Sequence, residues 1–401
     1  MSKIGTFFSS KEGQLLTLIF LPSIIYYGNF ISRLYGSDGF FSYLYGLIAI
    51  YSFYIIVKCL KSNNGQQVAK YAFLVMLLLF SAFFVHSSGK YIIGDHGISI
   101  YSFFVSDLGN FFNLVLPIIF LYIAGAELEC ILTKPIWISR IIILLQLIAY
   151  ILVIQTSSFT LLADDYMSFA YYGFLPVVIL FYNKNSIINL CFFTVGSIAL
   201  VVVGCRGAML TFFSVILLYS VLKYNITKWN TLFFLIIIIA LFSLMDFNSL
   251  LSGANNQLES IGFSSRTLTK ILSSEDVFYS SEGRDEITQV ALQNLSILPY
   301  GLWGDRQFSN TYVHNWILEV LLDFGLVLGG ILLLVVIVIN IKAIKTVKHS
   351  MNSEYIGLLS LSMALVWVKF LISSSFLIDS GFVLSISMLL YINKNKGFTN
   401  V

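Results

Sequence analysis

The sequence predicts an all-α fold, a polytopic transmembrane helical bundle of about 12 spans with one large outer loop that contains short helices. Two observations carry this. Of the 401 residues 58% are hydrophobic and only 11% charged, with a mean hydropathy of +0.88, whereas soluble domains are about a quarter charged. The apolar runs also approach the ~20 residues a helix needs to cross a ~30 Å bilayer core. They are too continuous for the alternation of a barrel, so helices remain.

The runs place spans at about 14–30, 39–58, 68–86, 103–124, 136–155, 168–183, 187–204, 207–222, 231–247, 316–340, 355–374 and 378–393. The fourth, sixth and twelfth are short or carry polar breaks such as Asp107 and Asn113. Three regions result: spans one to nine in 1–247, a large outer loop in 248–315, and spans ten to twelve in 316–401 with an inner C-terminus. The start of the chain has no short apolar core followed by a small-residue cleavage site, so no cleaved signal peptide is expected. Cys59, Cys130, Cys191 and Cys205 lack metal-type spacing and read as small apolar fillers.

Charge orients the bundle. With the N-terminus in the cytoplasm, fifteen of the 23 lysines and arginines fall in inner segments and seven in outer ones, with Lys369 inside a span. This satisfies the positive-inside rule and puts both termini in the cytoplasm. Five of the six arginines nevertheless lie outside: Arg33, Arg206, Arg266, Arg284 and Arg306. Arginine there suits bidentate recognition of phosphate.

Three stretches concentrate polar groups on the outer side. Arg206 stands in a tight Gly-Cys-Arg-Gly turn between two apolar runs. It reads either as a snorkelling cation or as one available to a ligand's negative charge. From Arg284 to Leu295 the apolar Ile287, Val290, Ala291, Leu292 and Leu295 recur near helical spacing, with Asp285 and Glu286 in the first turn and Pro299-Tyr300-Gly301 as the stop. The expectation is a short amphipathic helix on the membrane face. Arg284 at its start is either solvated beside Glu282 and Asp285 or part of an anion site. His314 opens the tenth span, followed by Asn315, Glu319 and Asp323. A histidine there can simply cap the helix or meet headgroups. Asn315 and Glu319 share a face, being four apart, and Asp323 lies about 14 Å along the helix from His314. So deep an acid needs a polar cavity or a partner, for which Lys369 is a candidate.

In this order the chain resembles the O-antigen ligase and polymerase superfamily of bacterial inner-membrane glycosyltransferases. The resemblance rests on Arg206-Gly207, on the segment from Gly283-Arg284 to Pro299 and Gly301, and on His314-Asn315 with Leu318, Glu319, Gly325 and Gly329. It covers roughly residues 187–340, and the first half matches only in being hydrophobic and multi-span. It implies an undecaprenyl-pyrophosphate-linked oligosaccharide as substrate at the periplasmic face, with membrane lipids around it and a chain-length regulator as a further candidate partner. Arg206 and Arg284 would hold the pyrophosphate, and His314 would act on the acceptor hydroxyl or on a phosphate oxygen. Asn315, Glu319, Asp323, Arg306 and Tyr312 would support them. An arginine-held leaving group needs no metal, and a near-neutral imidazole suits proton removal. No cofactor, metal or nucleic acid is expected.

A polymerase would join repeat units; a ligase would transfer finished glycan to lipid A–core. The Phe- and Tyr-heavy composition, 36 and 23 residues, favours the polymerase by association with serotype-specific loci. Tyrosines with Trp303 and Trp316 near the outer face suit sugar stacking, although aromatic belts are the commoner reason for them. A lipid-linked oligosaccharide flippase should instead spread charge along several helices and lack the large loop. Asp164-Asp165 and Asp95-His96, the candidates for a metal, read more simply as solvated loop residues.

Overall fold

The computed structural model describes residues 7–36, 42–62, 65–71, 73–74, 109–156, 158–203, 205–224, 256, 284–301, 304–305, 313–350, 352–372, 375–377 and 379–394. Every regular element among them is a helix. In order these are α1 Lys11–Leu34, α2 Ser42–Leu60, α3 Phe111–Ile123, α4 Ile136–Thr156, α5 Phe159–Tyr182, α6 Ile187–Val203, α7 Arg206–Lys223, α8 Arg284–Gln293, α9 Trp316–Ser350, α10 Ser353–Ile372 and α11 Ser380–Lys394. Helices α1, α4, α9 and α10 are long and apolar enough to cross a membrane. A bent pair, Leu44–Leu60 with Gly65–Tyr71 at 116°, would add a fifth. Several apolar helices thus mark a membrane protein. The expected ninth span and most of the third lie outside the described residues, as does most of the outer loop.

Local chemistry sets the helix ends. Ser10 caps α1, its hydroxyl accepting the Gly13 N–H at 3.0 Å, and Gly36 at φ +69° ends it. Asn352 caps α10 through the Glu354 N–H at 2.7 Å. α5 begins at Phe159, well before the expected 168. Asp165 therefore sits in a helix rather than a loop, and its carboxylate pairs with Arg33 at the end of α1. One of the arginines expected outside is thereby held by an acid.

Successive helices pack side by side. α1 lies against α4 and α2, α5 between α4 and α6, and α10 between α7 and α11, with α9 and α3 on α11. Phe169 of α5 anchors one aromatic cluster, its ring edge-on to Tyr27, Phe30 and Tyr150 with centroids about 5 Å apart. Lining this interior with rings leaves other apolar side chains outward: Leu334, Val335, Val338 and Ile341 of α9 are exposed. In water so continuous a patch would be a liability; in lipid it is the expected surface.

α9 is broken. At Gly325 the backbone turns to φ +74°, ψ 166°, conformational space that is essentially glycine's alone. Near the break Leu322 and Asp323 turn their carbonyls outward, where Tyr300 and Gly301 donate to them at 3.1 and 3.0 Å. The Leu326 N–H in turn donates to the Ser296 carbonyl at 2.8 Å. The segment after α8 is thus fastened to the first third of α9 through backbone groups.

Candidate functional site

The break gathers the polar residues at the start of α9. Asn315 is the helix cap: its Oδ1 accepts the N–H groups of Ile317 and Leu318 at 3.0 and 3.3 Å. Its side chain is turned to the helix rather than along the face of Glu319. His314 precedes the cap at φ +58°, the one non-glycine residue at positive φ among the described residues. Such a conformation costs about 1–3 kcal/mol and persists where the surroundings enforce it, often at functional sites. Its Nδ1 is buried.

Glu319 and Asp323 lie one turn apart and are both fully enclosed. The Glu319 carboxylate accepts the Ser375 hydroxyl and, at 3.1 Å, the Phe376 N–H. Asp323 accepts the Asp305 N–H at 3.4 Å, while the Asp305 carboxylate accepts the Val313 N–H at 3.0 Å. One carboxylate oxygen from each of Asp305, Glu319 and Asp323 falls within 4.8 Å of the others. Like charges at this separation repel one another. Oxygens so grouped also suit a hard cation.

Sequence reasoning missed Asp305. The turn that aims it inward is legible in retrospect. Gly301 stands at φ +95°, and Gly304 donates its N–H to Gly301 at 2.9 Å in a turn where a Cβ would lie 2.6 Å from Tyr300. Glycines at both positions, directly before an aspartate, allow the chain to double back under α8.

α8 is amphipathic, as expected. Its buried Ala291 joins Val313, Leu318 and Leu322 in a small core, with Ile287, Leu295 and Tyr300 packed on it. Leu292, Ile297 and Leu298 remain exposed. Arg284 is the first residue of α8 and Arg206 the first of α7, but both side chains lie outside the described residues, as do Arg306 and Tyr312 altogether. α7 packs along α10, chiefly on Ser353–Ala364.

The expected pairing of Lys369 with Asp323 is not found. Lys369 pairs with Asp379, and its ammonium lies 4.8 Å from the centre of the Tyr171 ring. Asp379 is close at hand because it caps α11, its Oδ1 accepting the Gly381 N–H at 2.8 Å. Asp323 turns instead to the Asp305 backbone.

Beside the site runs an apolar cleft of about 610 Å³, walled by α3, α9 and α11. It begins at Trp316, Val320 and Phe324 and reaches Ile339 and Lys394, about 35 Å of helix. The Trp316 indole N–H, in its wall, meets no acceptor among the described residues.

Fold and site define a helical membrane protein with a buried polar cluster at one end of a broken span. No family model, curated protein or solved structure matches the chain.

Proposed function

We propose that the protein is an O-antigen polymerase of the bacterial inner membrane, with about 12 spans, as its apolar runs allow, and both termini in the cytoplasm. It joins undecaprenyl-pyrophosphate-linked repeat units at the periplasmic face. Arg206 and Arg284 hold the pyrophosphate, and His314 takes the proton of the acceptor hydroxyl as that oxygen bonds the anomeric carbon. The bond from that carbon to the pyrophosphate oxygen breaks, and the leaving group departs with its electron pair. The arginines stabilise the charge that develops there. A base in this role contributes about 10²–10⁴-fold.

One observation carries this reading. The two polar stretches nearest the outer end of α9, Arg284–Gly301 and His314–Asp323, are separate in sequence yet packed and hydrogen-bonded to each other. The apolar cleft starting at Trp316 supports it further, since a polyprenyl chain needs an apolar path beside its headgroup site.

Deleting the gene and resolving lipopolysaccharide on a gel tests the proposal. Core bearing a single repeat is the expected result. Bare core with accumulating lipid-linked polymer would show a ligase, and an unchanged ladder would remove both. Arg206→Lys, Arg284→Lys and His314→Ala should each abolish or sharply reduce laddering at normal protein levels. A full ladder from any one strips that residue of its role.

A further inference from the structure

A second cavity, of about 400 Å³, lies between α1, α3, α5 and α10 and the start of α11, within the ~300–1,000 Å³ typical of small-molecule sites. Its wall, though still largely apolar, is far richer in polar groups than the cleft along α9: Ser23, Asn110, Ser168, Lys369, Asp379 and Ser380 all line it.

Three helices lose their regularity where they face this cavity. α1 carries Pro22, whose missing N–H leaves the carbonyl four residues earlier without its helical donor. α3 opens with a π turn at Phe111–Val115, and α10 contains another at Leu365–Lys369. Residues at each π turn, Leu114 in one and Leu365 with Lys369 in the other, reach the cavity wall. π turns are rare and recur at functional sites. A merely structural pair would not explain this convergence, because Asp379 can cap α11 without a lysine, and an ammonium within a span is costly.

We infer that this cavity binds an uncharged, hydroxyl-rich ligand, a short saccharide. The Lys369–Asp379 pair is neutral as a unit, so an ionic ligand would have to break it, whereas hydroxyls can add to it. The carboxylate accepts them, the ammonium donates, and the serines and Asn110 supply both functions. Tyr171, with the Lys369 ammonium over its ring, and Tyr172, stacked on Tyr26, also reach the wall and add aromatic edges to the polar groups. The choice of a saccharide rests on the glycosyl-transfer reading, under which a second sugar must lie near the first. A single turn of chain links this cavity to the buried acids. Ser375 donates its hydroxyl to Glu319 and accepts the Asp379 N–H on its carbonyl at 3.1 Å.

The test uses the full chain in lipid nanodiscs, with Ser23→Cys as reporter. Ser23 is buried and lines the cavity, so a neutral methanethiosulfonate reagent must enter the cavity to reach it. Labelling is read at that position by mass spectrometry. The competitor is oligosaccharide released by mild acid from the cell's own lipid-linked pool, with inorganic pyrophosphate in parallel. At ten times its Kd the saccharide should slow labelling about tenfold, by the factor 1 + [L]/Kd for a competing occupant, and pyrophosphate should not. The neutral double variant Lys369→Met with Asp379→Asn should stay monodisperse and lose the protection. No labelling at all, protection by pyrophosphate alone, or protection that survives the double variant would each overturn the proposal. An unchanged glycan ladder after gene deletion would sink the transferase reading instead, and leaves the labelling result readable on its own.

Discussion

Replacing Gly325 with alanine should unfasten the Ser296–Gly301 segment from α9. At φ +74°, ψ 166° a side chain is strained by about 1–3 kcal/mol. The added Cβ would also lie 2.4 Å from the Ile297 carbonyl oxygen and 2.8 Å from the Leu298 carbonyl carbon. The neighbours are backbone and cannot swing aside. If the chain instead straightens into helix, Tyr300, Gly301 and Leu326 lose their three hydrogen bonds, worth about 0.5–1.5 kcal/mol each. The variant takes whichever route costs less, so the loss is about 2–4 kcal/mol. Each 1.4 kcal/mol is about a factor of ten, so docking weakens about 30- to 1,000-fold. Hydrogen exchange in nanodiscs reads this at the Tyr300 and Gly301 amides, protected in the parent chain and fast in Gly325→Ala. Size-exclusion chromatography confirms that the bundle persists. Unchanged protection at both amides in a folded variant would refute the account of the break.

Gln146 of α4 is completely buried, pressed against Gly173 of α5, and neither of its amide atoms meets a partner among the described residues. Gln146→Leu should therefore raise the melting temperature, by removing a penalty of about 1–3 kcal/mol; a lower temperature would show that the amide is satisfied. Between α3 and α4, burial and then a hydrogen bond to the Glu354 carboxylate push Glu129 up to about 7 from 4.5. The folded protein then binds the extra proton between these values, so stability is greatest below about pH 4.5 and falls as pH rises toward 7. Thermal melts across that range should show the slope, and Glu129→Gln, which keeps a donor at every pH, should flatten it. Under the proposed glycosyl transfer, activity of the purified protein should survive EDTA; loss restored by a divalent ion would overturn the arginine-based chemistry and turn attention to Asp305, Glu319 and Asp323.

Much of the helical layout was legible because charges bracket the apolar runs. Residues 136–155, 187–204 and 207–222 were expected as spans, and helices occupy Ile136–Thr156, Ile187–Val203 and Arg206–Lys223. The start of α5 was misjudged because Asp164 and Asp165 look like loop residues until Arg33, 132 positions away, supplies a partner. The pairing of Lys369 failed for a related reason. Periodicity places a lysine on a face, but the capping turn of the following helix determines which acid it meets. His314, Asn315, Glu319 and Asp323 could be singled out together because they lie in one short stretch. Asp305 enters only through a glycine-bounded turn, and the break at Gly325 is hidden in an apolar run where one glycine looks like any other.

The joint between Ser296–Gly301 and α9 is made of peptide groups, so it reads no side-chain alphabet. Tyr300 packs on the small core and Gly301 is held at φ +95°, but the exposed Ile297 and Leu298 can vary while the two strips of backbone keep their register. A segment anchored in this way can change the side chains it presents at those two positions without renegotiating its attachment.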